Sequence, residues 1–348
     1  MAYTDIDDPT QFFNTKLYTG NGSTQTLTGI GFNADLIWLK NRTDSSTSHV
    51  LTDSVRTHAK YLKSNAIDSE GTYPFVTNRG SDGYDVASHS WSGASGKNYV
   101  AWNWLAGGSA SSNSNGSITS SVSASTGAGF SIVGWTGTGS AATIGHGLGV
   151  APKAIIIKQR TFADGWIVFF PTLDITLALH STSANNHSSK FSGFFNSTDP
   201  TSTLISLGTD DQTNKSSETY IAYCFAEKKG YSKFGSYTGN GNADGAFVYT
   251  GFKPAFFICK RYNDSGYDWL MYDNKRQVSF NVIDDFLKPN LADAETTGNA
   301  NQSLDFLSNG VKHRGNGASS NGSGASYIYM AFAESPFVNS NGVPNNAR

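Results

Sequence analysis

Three short apolar runs along the chain each stop abruptly at a lysine: Leu36-Ile37-Trp38-Leu39 before Lys40, Ile155-Ile156-Ile157 before Lys158, and Phe256-Phe257-Ile258-Cys259 before Lys260. Successive side chains of a strand point to opposite faces, so an apolar run without alternation predicts a strand buried on both sides. The leading glycine stands at the same distance from the lysine each time (Gly31, Gly149 and Gly251). Pro152 and Pro254 lie ahead of two of the runs, where no ladder hydrogen bond is lost. Arg42, Arg160 and Arg261 complete a basic pair after each run, which predicts a strand terminus reaching water. A second set of segments alternates: Tyr99-Val100-Ala101-Trp102-Asn103-Trp104, Tyr220-Ile221-Ala222-Tyr223-Cys224-Phe225 and Tyr327-Ile328-Tyr329-Met330-Ala331-Phe332. Turn-rich stretches before them (92–96, 214–217 and 321–324) predict that each is one arm of a hairpin.

These segments recur in a fixed order behind an aromatic-Thr-Gly triplet: Tyr18-Thr19-Gly20, Trp135-Thr136-Gly137 and Tyr237-Thr238-Gly239. Weaker matches fall between at Leu62-Lys63, Leu179-His180 and Leu287-Lys288. The starts lie roughly a hundred residues apart, well beyond the roughly 20–50 residues of a solenoid or propeller repeat, so each copy is predicted to be a domain. The expected fold is all-β, three tandem antiparallel β-sandwich repeats of jelly-roll or concanavalin-like form. Its expected organisation is an N-terminal arm over 1–15, repeats over 16–107, 128–230 and 231–337, and a tail over 338–348. A Gly/Ser-rich linker over 108–127 is expected to be flexible or loosely extended. The best helical signal is Asn281-Val282-Ile283-Asp284-Asp285-Phe286-Leu287, with apolar residues three and four apart, which predicts one or two turns ended by Pro289.

Composition narrows the function classes. Aromatic residues make up 13% of the chain, enough to supply much of the core, while charged residues are only 15% and the net charge is -2. That balance gives no electrostatic footprint for nucleic acid or an anionic membrane, and neither is expected as a partner. No run of about eighteen apolar residues and no charged-then-apolar leader is present, so membrane insertion and a signal peptide are not expected. Cys224 and Cys259, each inside an apolar run, are predicted to be small buried side chains.

Candidate chemistry is sparse. Gly145-His146-Gly147-Leu148-Gly149 resembles a phosphate-cradling loop, but a buried strand follows where a helix N-terminus would be needed, so a glycine turn with an exposed histidine is expected. There is no nucleophile elbow, no Walker sequence and no pair of histidines four apart, so no catalytic residue, cofactor or metal is assigned. The loop Asn263-Asp264-Ser265-Gly266-Tyr267-Asp268 has oxygen ligands for calcium but lacks the twelfth-position glutamate of an EF-hand, and a solvated turn is expected there. Paired carboxylates of a glycosidase can come from distant segments, but Asp210-Asp211 and Asp284-Asp285 lie in turns where solvation explains them. Trp38, Trp102, Trp104, Trp166 and Trp269 are predicted to be core. Trp91, Tyr84, Tyr262 and Tyr267 lie beside Gly, Asp and Ser, where an exposed ring could stack on a sugar or touch a partner.

With these segments in view, the chain resembles a family of marine tailed-phage virion proteins of the tail-fibre-like kind. The residues that carry the resemblance are 12–22 (Phe12-Phe13-Asn14-Thr15-Lys16-Leu17-Tyr18-Thr19-Gly20-Asn21-Gly22), Asn98 through Trp104 with Ala106-Gly107-Gly108, and Tyr220 through Tyr237. The likeness extends roughly over residues 11–337. It implies a non-enzymatic virion component on the exterior of the particle, a tail fibre or tail-associated adsorption protein contacting a host surface glycan. It also implies homo-oligomeric assembly, with a trimer favoured by the symmetry of phage appendages. Other virion proteins are expected to dock through the N-terminal arm. A capsid-decorating protein and, behind it, a polysaccharide depolymerase are the alternatives.

Overall fold

A computed structural model describes residues 3–185, 187–188, 192–277 and 280–345. Strands take up 41% of the residues and helices 5%, which places the chain in the all-β class, and the sheets are antiparallel. In the first segment the strands are β1 (Phe13–Thr19), β2 (Gln25–Thr28), β3 (Leu36–Asn41), β4 (Val50–Asp53), β5 (Lys60–Tyr61), β6 (Gly71–Thr72), β7 (Val76–Gly80), β8 (Gly83–Val86) and β9 (Asn98–Trp104). The second holds β10 (Ser111–Asn113), β11 (Ser120–Ser125), β12 (Phe130–Thr136), β13 (Ala142–Gly145), β14 (Ala154–Gln159), β15 (Trp166–Phe170), β16 (Ile175–Ala178), β17 (His187–Ser188), β18 (Leu204–Leu207) and β19 (Thr219–Phe225). The third holds β20 (Ser232–Thr238), β21 (Phe247–Tyr249), β22 (Phe252–Arg261), β23 (Leu270–Asp273), β24 (Leu304–Leu307), β25 (Gly310–His313) and β26 (Ser326–Pro336).

One four-strand pattern occurs three times: β1-β9-β3-β4, β12-β19-β14-β15 and β20-β26-β22-β23. The register repeats as well, since Tyr18 faces Tyr99, Trp135 faces Tyr220 and Tyr237 faces Tyr327. A smaller sheet accompanies each: β2-β8-β7, β13-β18 and β21-β25-β24. The alternation of the closing strands divides their side chains between two cores. Tyr99 and Ala101, Tyr220 and Ala222, and Tyr329 and Ala331 face three separate local clusters. Val100, Trp102 and Trp104, Ile221, Tyr223 and Phe225, and Ile328, Met330 and Phe332 all enter one central cluster. The buried runs divide likewise, Ile37 and Leu39 inward to the first segment, Leu36 and Trp38 to the centre. Both faces of β3 and β14 are therefore occupied, and their apolar runs need no alternation. At the centre the equivalent rings Trp104, Phe225 and Phe332 meet, with centroids 5.6 Å (Trp104–Phe332) and 5.8 Å (Phe225–Phe332) apart.

Four local expectations are corrected. The 108–127 stretch is not a loose linker: β10 and β11 extend the second segment's sheet, because Ile118 and Val122 are buried in its core and serines alternate with them. Residues 281–287 form no helix. They run extended, with Ile283 bridged to Leu304, Phe286 to Thr296 and Leu287 to Met271, and their apolar spacing sends Phe286 and Leu287 into different cores. Lys40, Lys158 and Lys260 do not reach water but are fully buried. His146 is buried too, its Nδ1 accepting from the Leu148 N–H at 3.3 Å, so the glycine-rich turn closes over it. The termini are anchored: Ile6 joins the central core, and the Ser340 N–H donates to the Asp7 carboxylate at 2.7 Å. No helix among the described residues is long and apolar enough to cross a membrane.

Candidate functional site

The three opening triplets turn out to be parts of one structural lock. The ring of the opening aromatic stacks on the tyrosine of the closing strand at 5.1 Å (Tyr18–Tyr99), 5.2 Å (Trp135–Tyr220) and 4.8 Å (Tyr237–Tyr327). Tyr99, Tyr220 and Tyr327 each accept a turn N–H on the phenol oxygen, from Ala94, Lys215 and Gly322, and donate to a carbonyl, that of Ser90, Asp211 or Ala318. The glycine of the triplet is required by close approach: a Cβ at Gly20, Gly137 or Gly239 would lie 2.3–2.4 Å from a carbonyl oxygen of that turn. A stacked pair with both polar ends satisfied holds the hairpin without a ligand.

The segments meet at three seams arranged cyclically. At the seam of the first and second, Arg56 Nε donates to Asp53 at 2.6 Å and Nη1 to Glu70 at 3.2 Å, and Arg160 of the second segment also donates to Glu70, at 2.7 Å. The Tyr223 hydroxyl donates across the seam to Asp53 at 2.8 Å. The same set closes the seam of the third and first segments: Arg276 with Asp273 at 2.6 Å and with Glu295 at 2.8 Å, Arg42 with Glu295, and Trp102 Nε1 donating to Asp273 at 2.9 Å. At the remaining seam the positions of Asp53, Arg56 and Tyr223 are held by Phe170, Leu173 and Met330. Burial works to raise the Asp53 pKa, but the Arg56 charge and its hydrogen bonds outweigh that and hold the carboxyl below its ordinary range.

Every seam also buries one of the three lysines. Each ammonium donates to the carbonyl of its own next residue at 2.7 Å, and each reaches a carbonyl of the adjoining segment: Ala292 from Lys40, Ile67 from Lys158, Thr182 from Lys260. Burial lowers all three pKa values to about 8, against the pull of nearby carboxylates.

The four aromatic site candidates are not brought together. Tyr84 lies on β8 and is buried, not exposed, its hydroxyl donating to Asn103 at 2.8 Å. Trp91 is half-buried and stacks on Phe75 with centroids 5.8 Å apart. Tyr262 packs against the central core, and the Arg261 guanidinium covers the Tyr267 ring at 4.2 Å. In the 263–268 loop Asp264 pairs with Arg261 and Asp268 with Lys288, and no cluster of three His, Cys, Asp or Glu side chains suited to a metal occurs among the described residues. Asp210 caps a one-turn helix, Asp211–Asn214, by accepting the Gln212 N–H, while Asp211 pairs with Lys215 at the surface. Cys224 and Cys259 are free and buried, and burial pushes both thiols up to about 12.

One open groove was not foreseen. It has a volume of about 450 Å³ and is lined by Tyr3, Lys228, Lys229, Lys233, Tyr249 and Gly251, among others. Phe247, two residues from Tyr249 on the outward side of β21, extends it with an exposed ring. Pairing aligns these outward positions with Thr26 and Thr28 in the first segment and Thr143 and Gly145 in the second. Comparing the outward residues of the repeated strands, not the inward ones, would have marked them. So too would Asp-x-x-Arg after the buried run, which stands at 53–56 and 273–276.

No curated protein and no solved structure matches the chain. Residues 8–336 match a family described as "Domain of unknown function (DUF7483)". The match runs from the arm ahead of β1 to the last residue of β26 and so takes in all three four-stranded sheets, and the chain belongs to that family.

Proposed function

We propose that the chain is a non-enzymatic structural protein of a bacteriophage virion, built from three copies of one antiparallel β-sandwich unit. In this reading it stands on the outside of the particle as a tail fibre or tail-associated adsorption protein that contacts the host surface. The observation that carries the reading is the use to which the repeated residues are put. The stacked aromatic locks and the buried lysines recur in all three segments, and each holds a turn or a seam. On the outside the first and third segments differ, with Thr26 and Thr28 against Phe247 and Tyr249, as expected where like units offer surfaces to partners. The likeness of residues 12–22 and 98–108 to tail-fibre-like virion proteins supplies the setting. Further copies of the chain, as a trimer, and other virion proteins are the partners.

A capsid-decorating role is the second reading, favoured by the exposed acidic arm at Asp5 and Asp8, which is tied to the C-terminal tail through Asp7 and Ser340. Gold-labelled antibody against the purified protein, imaged on intact particles, tests both. Label at the tail supports adsorption, label over the shell supports decoration, and particles that carry none of the protein overturn the virion reading.

A further inference from the structure

We propose that the groove beside β21 is a binding site for an acidic polysaccharide, a chain of sugars bearing carboxylates. The site deepens the adsorption reading and rests on it only for its biological setting.

Two exposed rings line the groove, Tyr3 and Tyr249, and Phe247 stands two residues from Tyr249 on the same face of β21. Tyr3 is 68% exposed, Tyr249 57% and Phe247 46%. A Cβ built on Gly251 would touch the Tyr249 ring at 3.7 Å, one on Gly342 would touch Tyr3 at 3.6 Å, and one on Gly310 would collide with Phe247 at 2.9 Å. The rings therefore lie against glycine backbone, and Gly310 itself is required by the strand pairing, since its Cβ would meet the Val248 carbonyl oxygen at 2.3 Å, as one on the matching Gly83 would meet that of Leu27. An aromatic face is negative, and the C–H bonds on the face of a pyranose ring carry a small positive charge, so a sugar can lie flat on such a ring.

Charge selects among sugars. Lys233 is paired with Glu227 at 2.8 Å, while the Lys228 and Lys229 ammoniums have no carboxylate within 4 Å among the described residues. Asp5 adjoins them, its carboxylate accepting the Lys229 backbone N–H at 3.2 Å. Two unpaired ammoniums beside stacking rings suit a carboxylate spaced along a sugar chain. The adjoining Asp5 and Glu227 limit the positive charge of the groove, so the exposed ring faces, which a sugar covers and a phosphate does not, favour a saccharide over a polyphosphate. An added peptide strand is disfavoured as well, because β21 is three residues long and offers a short ladder.

The first segment acts as an internal control. Its outward residues on the matching strand are Thr26 and Thr28, and the position of Lys233 is Asn14, while in the second segment residues 113–117 cover the matching Thr143 and Gly145. The fold does not require rings or a lysine at those places, yet the third segment has them together.

The test is affinity electrophoresis and titration calorimetry of the whole chain with polygalacturonate, neutral dextran and a single-stranded oligonucleotide. Binding is expected for polygalacturonate alone and should weaken as salt is raised. Phe247→Thr with Tyr249→Thr, residues the first segment already carries, should lower affinity at least tenfold with an unchanged melting temperature. Lys228→Gln with Lys229→Gln should remove most of the salt dependence. No binding to polygalacturonate, equal binding to dextran, tighter binding to the oligonucleotide, or affinity untouched by both double variants would overturn the site. A self-association that the threonine variant abolishes, with no saccharide binding, would overturn it in favour of a second copy of the chain. None of these outcomes bears on whether the protein is found in the virion.

Discussion

The seam between the first and second segments and the seam between the second and third do the same job with opposite chemistry. At the first, Asp53, Arg56, Glu70 and Arg160 form a buried charge network closed by the Tyr223 hydroxyl. At the other, Phe170, Leu173 and Met330 fill the matching positions with apolar side chains in the same central core. Buried ion pairs are costly to desolvate and roughly break even against well-packed apolar residues, but half a pair is worse than either. The chain thus carries both solutions on one scaffold, and the comparison separates the cost of charge from the cost of geometry.

Breaking the comparison should have its largest effect where one partner is removed. Asp53→Asn keeps the volume and takes the closer of two counter-ions from the buried Arg56, leaving Glu70 at 3.2 Å shared with Arg160, so a loss of about 3 kcal/mol is expected in urea unfolding. The matching Asp273→Asn should cost about the same. A loss under about 1 kcal/mol at either site would mean that the arginine finds water on its own.

The lysines are common to all seams and sharpen the contrast from the other side. Their folded pKa of about 8 lies below the ordinary 10.5, so between those values the unfolded chain binds more protons than the folded one. Stability should therefore rise as pH climbs from 8 towards 10, by about 1 kcal/mol per lysine at one pH unit above 8. Chemical denaturation at pH 7.5 and 9.5 measures it, and a fall in stability over that window would show that the ammoniums are better solvated than their burial implies. Tyr223→Phe is expected to cost about 1–2 kcal/mol, since the ring stays while the donor to Asp53 and the acceptor for Arg56 Nη2 are lost.

The smallest change should come from the largest substitution. Asp53→Phe, Arg56→Leu and Tyr223→Met together copy the apolar seam, and Glu70 keeps Arg160 as its partner. Stability within about 1 kcal/mol of the parent is expected. A loss as large as that of Asp53→Asn would mean that the apolar seam depends on residues beyond these three.

Much of this architecture was legible. The runs before Lys40, Lys158 and Lys260 read as strands buried on both faces, and they are, because one face meets the segment's own core and the other the common one. The burial of the lysines is not legible, because a charge at a strand end ordinarily marks solvent and carbonyls from another segment do not show in a local pattern. The Gly and Ser content of 108–127 hides its strands, whose signal is the pair Ile118 and Val122 that enters the second segment's core. Residues 281–287 had helical spacing only because Phe286 and Leu287 face two cores at once. Of the site candidates, Tyr84 and Trp91 stand beside polar residues in sequence, yet the first ring is buried and the second half-buried. The groove at Tyr3 and Tyr249 joins residues far apart in sequence, and only the register between strands shows that Phe247 and Tyr249 replace threonines.

A common core has one direct consequence for unfolding. A chain of 348 residues ordinarily comes apart in stages, domain by domain. Here each four-stranded sheet covers its second face only against the other two, so no segment can leave alone without exposing the centre around Trp104, Phe225 and Phe332. Differential scanning calorimetry of the whole chain should show a single transition whose calorimetric and van't Hoff enthalpies agree. Two or three separable transitions would contradict the shared core and return the segments to independent domains.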